Sequence, residues 1–362
     1  MVKRFTIASV FAIHLRTISL LCGSLKFAGM YSIPPVMGTK FADQVFAIDR
    51  QGFAESALDL FFFQYKNNAI YQAYVDSLSI DPAHIQTIDK IPFLPIDFFK
   101  THTVKTTAFE PEIIFESSGT TREMPSRHFV KNLSIYKKSF TRAFEQFYNK
   151  PDDWCIIGLL PSYLERNNSS LVFMVRELIE KSRHAKSGFY LHEYPQLADT
   201  LQELEIGKQK TLLIGVTFAL LDFADQFSMR LDHTVVMETG GMKGRRKEIT
   251  RTELHQQLKN KLGISAVHSE YGMTELLSQA YSKADGIFET PPWMRVLVRN
   301  EDDPFTVQPN GEGIINIIDL ANIYSSAFIA TEDIGKIHED GRFEVLGRTD
   351  TSDIRGCSQL VV

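Results

Sequence analysis

Residues 154–161 read WCIIGLLP, a short apolar run that carries no charged residue and ends in a proline. Such a continuous run is typical of a strand that is buried on both faces of a parallel sheet. The segment SSLVFMVRELIEKS follows at residues 169–182 and predicts an amphipathic helix with a serine as its candidate N-cap. A buried strand followed by a helix is the repeating unit of α/β proteins, so this stretch predicts the fold class.

The same alternation extends along the chain. Three further apolar runs that end in small or polar residues predict strands: Thr211–Val216, His233–Gly241 and Gly263–Gly272. Apolar residues at near-helical spacing predict one or two helices over Phe53–Leu78 and another over Ser134–Tyr148. Pro92 and Pro95 exclude a regular helix at Ile91–Lys100. We expect an α/β fold of mostly parallel sheets sandwiched by helices, in which ligands bind beyond the carboxyl ends of the strands.

The composition is that of an ordinary globular protein. The chain has 362 residues, 44% of them hydrophobic, which fits one large α/β domain or two average ones. The formal net charge is −5 with acidic and basic residues interspersed, which does not indicate a nucleic-acid partner. The three cysteines, Cys22, Cys155 and Cys357, are far apart, and no Cys/His cluster suggests zinc. An odd count argues against a disulfide framework, so the expected location is a reducing, cytoplasmic one.

Residues 1–40 are a doubtful leader. Lys3 and Arg4 precede an apolar run, as in a signal peptide. The run is interrupted by three charged or titratable side chains: His14, Arg16 and Lys26. No stretch of about 18 uncharged apolar residues is left, so we expect no stable membrane span. A signal peptide and a mis-assigned start, with translation beginning at Met30 or Met37, both fit, and we favour the second.

The loop after the apolar run Ile113–Phe115 is rich in hydroxyls. It reads SSGTT and consists of Ser117, Ser118, Gly119, Thr120 and Thr121. Backbone N–H groups and hydroxyls in such a loop can wrap phosphate oxygens, although a hydroxyl-rich turn is often only a turn. It is not a Walker P-loop, because Ile114 stands where a glycine is required and no lysine follows the loop glycine. The chain also has no GxSxG elbow of a serine hydrolase.

Two later strand ends carry residues that suit a nucleotide. The segment ETGGMKGRR, residues 238–246, has paired glycines at Gly240 and Gly241, where a flat ring could approach the backbone closely. The segment SEYGMTE, residues 269–275, places an aromatic residue, a glycine, a hydroxyl and a carboxylate together at the end of the next strand. Both segments fall where ligands bind in parallel sheets.

A hairpin is predicted near the end of the chain. Asp340-Gly341 is typical of a two-residue hairpin loop, and apolar residues alternate on either side of it. If the hairpin has no bulge, Asp333 and Arg348 lie opposite one another, with Cβ atoms about 5 Å apart. The pair is either a cross-strand ion pair, which contributes little to stability, or a carboxylate for ribose hydroxyls beside a cation for phosphate.

Taken together and in order, SSGTT, TGG, YGMTE and the hairpin resemble the adenylate-forming superfamily of acyl-CoA synthetases and luciferase-like enzymes. More narrowly, residues 41–362 resemble the LuxE-type acyl-protein synthetases. This narrower resemblance is carried by IPFLPIDFFKTHTV from Ile91, SSGTT…SRH from Ser117, LPSYLERNNSSLVFM from Leu160 and YGMTELLSQAY from Tyr271. It implies the fold of the large N-terminal domain of adenylate-forming enzymes.

The resemblance implies a site for ATP. The loop residues Ser117, Ser118, Gly119, Thr120 and Thr121 would clasp its β- and γ-phosphates. Gly240 and Gly241 would line the adenine slot, and Tyr271 would stack on the adenine, with Gly272 and Met273 in the same motif. The alternative for the tyrosine is an ordinary core aromatic.

The resemblance also implies a magnesium site. Thr274 would contact the α-phosphate and Glu275 would hold Mg²⁺, a task for oxygen ligands. Asp333 would bind the ribose hydroxyls, and Arg348 would lie close to the ribose or the phosphates. The alternative for the glutamate is a charge at a helix N-terminus.

The chain departs from the superfamily pattern in two places. Arg122 stands where the loop usually continues with a glycine, and Arg127 stands near the position of the usual lysine. The sequence ends at Val362, where larger relatives continue into a domain that carries a catalytic lysine and the site of the CoA half-reaction. The expected organisation is a leader over 1–40, an adenylate-forming domain over 41–350 and a short flexible tail over 351–362.

Cys357 in this tail is the candidate acyl carrier, because the narrower family uses a cysteine near its C-terminus. A neighbouring cation, Arg355, could lower the thiol pKa, and Gly356 gives the tail a pivot. The alternative is a terminal cysteine without a role. His128 in the SRH motif is either catalytic or a hydrogen-bonded loop histidine, and Cys155 is expected to be inert packing.

These observations lead to three functional hypotheses. The first is an ATP-dependent ligase that activates a fatty or other carboxylic acid and forms a thioester on its own cysteine. The second is a ligase that passes the acyl group to CoA or to a carrier-protein thiol. The third is a non-catalytic, nucleotide-binding assembly subunit. An acyl-protein reductase subunit as partner is implied by the resemblance alone.

Overall fold

The computed structural model describes residues 41–42, 44–117, 124–161, 168–240, 249–301, 303 and 305–349. Several residues predicted to be functional lie outside these ranges: Ser118, Gly119, Thr120, Thr121, Gly241 and Cys357. The leader, residues 1–40, and the tail, residues 351–362, lie outside them too. No helix in the described ranges has the length and apolarity needed to cross a membrane.

The described part of the chain is built around one sheet of thirteen strands. In chain order the strands are β1 Leu94–Pro95, β2 Ile113–Glu116, β3 Arg127–Val130, β4 Cys155–Leu159, β5 Gly188–Phe189, β6 Thr211–Val216, β7 Thr234–Thr239, β8 His268–Tyr271, β9 Ala280–Ser282, β10 Ile287–Glu289, β11 Met294–Arg299, β12 Val307–Gln308, β13 Gly311–Asp319, β14 Phe328–Ile337 and β15 Phe343–Arg348. The order across the sheet is β12-β11-β13-β14-β15-β10-β9-β8-β7-β6-β4-β5, β1 pairs with β14, and β2 and β3 form a separate two-stranded sheet.

One half of the sheet is parallel, as predicted. Strands β4 to β8 pair in parallel, and every residue of β4 and β6 is buried. Burial along a whole strand means that both faces are covered, which is why these strands read as continuous apolar runs. The α/β fold class is therefore confirmed, and the strand predicted at 154–161 is β4.

The other half is antiparallel. From β8 onward the neighbouring strands β9, β10, β15, β14, β13, β11 and β12 pair in antiparallel fashion. Short connections, such as the four residues between β9 and β10, allow only antiparallel pairing, whereas a parallel pair needs a long crossover. The parallel arrangement that we expected for most of the sheet is thus confined to the strands separated by helices.

The helices of the described residues are α1 Phe53–Asn67, α2 Ala69–Ser77, α3 Phe98–Thr101, α4 Leu133–Tyr148, α5 Ser170–Ser182, α6 Tyr194–Ile206, α7 Thr217–Gln226 and α8 Arg251–Leu262. The region predicted as one or two helices is two, because Asn68 interrupts it and its side chain accepts hydrogen bonds from the first backbone N–H groups of α2. Ser169 is the N-cap of α5, as predicted, and accepts a hydrogen bond from Val172 N. No regular helix spans Ile91–Lys100, where the short β1 is followed by α3.

Strand β8 is shorter than predicted. The apolar pattern indicated a strand from Gly263, but the strand begins at His268. Gly263 has a left-handed backbone, with φ of 61°, and it ends α8 as a C-cap. Only the polar end of the predicted segment is therefore strand, and it carries Tyr271 at its last position.

The hairpin between β14 and β15 differs in detail from the two-residue loop that we expected. Its loop has three residues, because His338 N donates to Arg342 O at 2.8 Å and Gly341 adopts the left-handed region with φ of 84°. A bulge further along the ladder compensates for this shift: Gly335 pairs with Val345, whereas Ile334 pairs with Gly347. The predicted pairing of Asp333 with Arg348 is confirmed for this reason, not because the hairpin is regular.

Candidate active site

The carboxyl ends of the neighbouring strands β7 and β8 lie side by side within the sheet. Thr239 pairs with Glu270, and its hydroxyl donates to Glu270 Oε2 at 2.5 Å. Gly240 follows with φ of 66°, a left-handed conformation that favours glycine, and its carbonyl accepts a hydrogen bond from Thr217 Oγ1 at 2.8 Å. The backbone after β7 is therefore fixed directly beside the segment that follows β8.

Tyr271 contacts the hairpin carboxylate. Its hydroxyl donates to Asp333 Oδ2 at 2.7 Å, and Arg348 Nε lies 3.2 Å from Asp333 Oδ1. The tyrosine ring packs edge-on against Phe288 and Phe343, which fixes its plane. An aromatic ring, a carboxylate and a guanidinium thus meet in one place.

Neighbouring charges affect the pKa values of Tyr271 and Arg348. Burial raises the pKa of Tyr271 well above its usual range, and the neighbouring Asp333 carboxylate raises it further. Burial alone would lower the pKa of Arg348, but Asp333 and Glu332 outweigh it and the pKa is raised. At neutral pH the tyrosine is a hydrogen-bond donor and Arg348 is a cation.

The residues after Tyr271 form an accessible turn. Gly272 is exposed, while Met273 and Thr274 are half-buried, and Leu276 N donates to Met273 O at 3.1 Å. A Cβ at Gly272 would lie 2.5 Å from Glu270 Oε1, so no other residue fits there without a shift. The turn therefore offers its backbone and the Thr274 side chain to a ligand.

His128 links the segment after the hydroxyl-rich loop to this turn. It is 1% exposed, and its Nδ1 lies 2.8 Å from Thr274 O while its Nε2 lies 3.0 Å from Asn322 Oδ1. Burial lowers its pKa to about 4, so the ring is neutral at pH 7. Both ring nitrogens lie within hydrogen-bond distance of protein oxygens, and a neutral ring donates from one of them only. His128 therefore suits a role in positioning Thr274.

Asn322 is a site residue that sequence reasoning missed. Its Nδ2 donates to Glu275 O and to Ser326 O, each at 2.8 Å, and its Oδ1 lies 3.0 Å from His128 Nε2. Gln64 holds the same loop from α1 by donating to Asn322 O at 2.9 Å. The only sequence signal was two polar residues, Asp319 and Asn322, in an otherwise apolar segment, IIDLANIY at residues 317–324.

Asp319 was missed for the same reason. This buried carboxylate accepts hydrogen bonds from Leu277 N, Ser278 N and Ser278 Oγ, at 2.8, 3.0 and 2.6 Å. It fixes the chain immediately after Glu275. Asp319 and Asn322 together hold the turn that carries the Thr274 and Glu275 side chains.

Glu275 fits a magnesium ion bound together with nucleotide phosphates. It is 5% exposed, its backbone carbonyl accepts a hydrogen bond from Asn322, and its charge is among the causes that raise the pKa of Tyr271. Mg²⁺ is usually held by one or two carboxylates, water and substrate phosphates, not by a complete protein cage. Within the described ranges no cluster of three or more His, Cys, Asp or Glu residues could hold a metal without such help.

Ser117 stands at the base of the hydroxyl-rich loop. Its N–H donates to Ser126 O at 3.0 Å, and its Oγ accepts a hydrogen bond from Ser126 N at 2.9 Å. These bonds extend the β2–β3 ladder by one step, so the two ends of the loop lie together beside His128. The rest of the loop, Ser118 to Thr121, lies outside the described residues.

Cys155 is packed inside β4, as expected. It is fully buried, and burial raises the pKa of its thiol. A thiol of this kind is a poor nucleophile. The other two cysteines lie outside the described residues.

Glu270 carries a testable pH dependence. Burial raises its pKa from the ordinary 4.5 to about 7, so the folded protein holds this proton more tightly than the unfolded chain does. The stabilisation is present at low pH and is lost as the pH rises towards 7. Glu270→Gln cannot ionise, so we expect its free energy of unfolding, relative to the wild type, to rise by about 2 to 3 kcal/mol from pH 5 to pH 8. Urea denaturation at the two pH values measures this difference.

Glu238 on the neighbouring strand is the matched control. Burial would raise its pKa, but His255, Arg251 and Ser269 stabilise its charge and the pKa is lowered. Glu238→Gln is therefore expected to lose stability relative to the wild type at pH 8. Parallel pH profiles for the wild type and Glu270→Gln would contradict the prediction.

Comparison with known proteins decides the family. The family model described as acyl-protein synthetase, LuxE, matches residues 49–362. The chain belongs to this family. It is therefore an enzyme of the ligase class, as the sequence predicted, and membership implies the use of ATP.

A curated relative and two solved structures agree with this assignment. The long-chain-fatty-acid–luciferin-component ligase of Aliivibrio fischeri is 25% identical over 331 residues, which cover 83% of this LuxE-family chain and 85% of the relative. A 2-hydroxyisobutyryl-CoA ligase in complex with 2-HIB-AMP and CoA superposes with a TM-score of 0.60 at 11% identity, over 92% of this chain and 76% of that one. Its postadenylation state gives 0.59 at 10% identity, over 90% and 74%. At these identities the two structures show the fold alone, and it is the predicted adenylate-forming one.

Proposed function

We propose that this protein activates a long-chain fatty acid, or a similar carboxylic acid, with ATP and transfers the acyl group to Cys357 as a thioester. The observation that carries the proposal is the contact of Tyr271 with Asp333 and Arg348 beside the turn that bears Thr274 and Glu275. The name of the Aliivibrio fischeri relative supports a long-chain fatty acid as substrate. The family description supports a protein as acceptor.

The first step makes the acid reactive. A carboxylate oxygen of the substrate attacks the α-phosphorus of ATP, the bond to the β-phosphate breaks, and pyrophosphate leaves with its electron pair. In the second step a thiolate attacks the acyl carbonyl carbon, the bond between that carbon and the bridging oxygen breaks, and AMP leaves with this oxygen and the electron pair. Two easier displacements thus replace the direct condensation of a carboxylate with a thiol.

Each described side chain has a part in the first step. Asp333 accepts hydrogen bonds from the ribose hydroxyls, Tyr271 lies against the adenine, and Arg348 faces the ribose or the phosphates. Thr274 donates to the α-phosphate, while His128 holds the Thr274 backbone and does not itself transfer a proton. Mg²⁺, when bound through Glu275, supplies charge neutralisation for the departing pyrophosphate.

The remaining binding residues follow the strand ends. Gly240 and Gly241 line the adenine slot, Gly272 and Met273 provide the backbone next to it, and the loop from Ser117 to Thr121 wraps the β- and γ-phosphates. The tail over 351–362 brings the acceptor thiol of Cys357 to the acyl-adenylate. From Asp350 to Cys357 it spans seven residues and so reaches at most about 25 Å.

The proposal includes the location of the protein and its partner. A cytoplasmic location would keep the carrier thiol reduced. A thioester on a protein is an intermediate that a reductase can consume, so an acyl-protein reductase subunit is a fitting partner. Transfer to CoA or to a carrier-protein thiol is the alternative within enzymes, and a non-catalytic nucleotide-binding subunit is the alternative outside them.

Incubation with radiolabelled fatty acids of graded chain length, ATP and Mg²⁺ tests the proposal. We expect pyrophosphate exchange that depends on the acid, and protein-bound label that neutral hydroxylamine removes. Label found only on added CoA or carrier protein would favour the second hypothesis. If no acid supports pyrophosphate exchange, the third hypothesis remains, a non-catalytic nucleotide-binding assembly subunit.

A further inference from the structure

An arginine outside the predicted site connects its two sides. Arg251 is the first residue of α8, and its Nε lies 3.3 Å from Glu238 Oε1 in β7. The same guanidinium donates through Nη1 to Val345 O in β15 at 3.0 Å and lies 5.3 Å from the Phe288 ring centre. In the sheet, β7 and β15 are separated by β8, β9 and β10. One side chain thus spans from the strand that leads to Gly240 to the strand that ends in Arg348.

An arginine is unfavourable at the N-terminus of a helix, where Arg251 stands. A cation in the first turn faces the positive end of the helix dipole, where acidic residues are preferred. The helix begins well without it, since Thr250 and Glu253 form a complete capping box. Arg251 is therefore held by its long-range partners, not by a local helical preference.

The surroundings of Arg251 match its charge and its shape. Glu238 is 4% exposed, and burial would raise its pKa, yet His255, Arg251 and Ser269 stabilise its charge and the pKa is lowered. Gly286, with φ of 69°, leaves space for the arginine, because a Cβ there would lie 2.8 Å from Arg251 Cδ. The side chain thus passes through a gap that is shaped for it.

The Val345 carbonyl lies at the bulge that sets the hairpin register. Val345 pairs with Gly335, and the next ladder pair is Ile334 with Gly347, which leaves Leu346 as the extra residue. A Cβ at Gly335 would lie 2.6 Å from Glu344 O and 2.6 Å from Ile315 Cδ1, so the bulge needs glycine at this point. Two residues beyond it, the ladder places Asp333 opposite Arg348.

We propose that Arg251 is a positioning residue for the adenylation reaction: it holds the β15 bulge against β7 and so aligns Asp333 and Arg348 with the backbone at Gly240. The inference rests on the proposed function, because it concerns how the two sides of the nucleotide site stay in register. Loss of the Arg251 contacts with Glu238 and Val345 moves Asp333, which contacts the ribose, relative to the adenine slot. Binding of ATP weakens, while the reacting groups on the turn after Tyr271 keep their places.

The test compares Arg251→Met with the wild type in pyrophosphate exchange. Methionine keeps an apolar chain against Phe288 but removes the charge and the bond to Val345. We expect KM for ATP to rise about tenfold, the usual size of coupling between two sites, with a smaller change in kcat. Discrimination between ATP and 2′-deoxy-ATP should fall as well, because Asp333 no longer meets the ribose hydroxyls. Arg251→Lys should lie between the two, since it keeps the charge near Glu238 but lacks the planar fork.

Lys259→Met is the matched control. It removes a cation from the same helix, where Lys259 lies 4.0 Å from Asp285, and both kinetic readouts should stay at the wild-type values. An Arg251→Met variant with unchanged KM and unchanged nucleotide preference would overturn the inference, even if its melting temperature falls. ATP affinity is measured in parallel by calorimetry. If the wild type shows no pyrophosphate exchange, the proposed function fails. The role of Arg251 in ATP binding is then still tested by the measured affinities.

Discussion

Replacing Glu275 by glutamine is expected to stop acyl-adenylate formation, with acid-dependent pyrophosphate exchange falling by about a hundredfold or more. The amide has the shape of the carboxylate but lacks its charge, and a hard cation such as Mg²⁺ prefers a charged oxygen. The backbone of residue 275 stays in place, because Asn322 Nδ2 holds its carbonyl at 2.8 Å. Exchange measured over a range of Mg²⁺ concentrations checks the prediction, and the variant should need far more metal for any residual activity.

Glu312→Gln is the control for loss of a negative charge. Glu312 lies 3.2 Å from Lys336 in an exposed ion pair, and exposed pairs contribute little. We expect this variant to exchange pyrophosphate at the wild-type rate with the wild-type Mg²⁺ dependence. Wild-type exchange by Glu275→Gln would remove this residue from the metal site, and a changed circular dichroism spectrum would mean that its carboxylate is structural.

The parallel half of the fold could be predicted because two of its strands, β4 and β6, are buried along their whole length. The run at β4 and the segment at β6 are short, nearly continuous apolar sequences, the pattern that is typical of strands covered on both faces. The antiparallel half was not predicted strand by strand. Its short strands, such as Ala280–Ser282 and Ile287–Glu289, are too brief for a periodic pattern to stand out from turns.

The hairpin shows how a correct pairing can follow from an incomplete argument. The expected register assumed a two-residue loop without a bulge, whereas the chain has a three-residue loop and an extra residue at Leu346. Each shifts the register by one residue, and the two shifts cancel at Asp333 and Arg348. The bulge depends on the space around Gly335, where Ile315 and Glu344 leave no room for a side chain, and such space is a property of packing.

The residues that were missed have partners far away in the sequence. His128 and Asn322 are 194 positions apart, and Arg251 is 94 positions from Val345. The motif residues could be found because each motif carries its own chemistry within a few positions. Asn322, Asp319 and Arg251 act by holding other segments, and their function becomes visible only once the fold brings those segments together.

Replacing Cys357 by serine is expected to abolish acyl-protein formation and to leave the first step intact. A serine hydroxyl is almost never ionised near neutral pH, whereas a thiol with a pKa near 8.5 or below supplies a reactive thiolate, so hydroxylamine-sensitive label should fall by about a hundredfold or more. Pyrophosphate exchange should keep its wild-type rate, since Tyr271, Asp333, Thr274 and Glu275 are untouched. Labelled fatty acid followed on the protein, together with exchange in the same samples, separates the two steps.

Cys155→Ala is the matched control, because Cys155 is buried in β4 and burial raises its thiol pKa. This variant should keep both the label and the exchange, and Cys22→Ser should do the same. If Cys155→Ala lost the label while Cys357→Ser kept it, the carrier would be the cysteine in the sheet, and the tail would have no part in the reaction. If Cys357→Ser lost exchange as well as label, the two steps would share a residue, and the division between an adenylation site on the sheet and a carrier on the tail would be wrong.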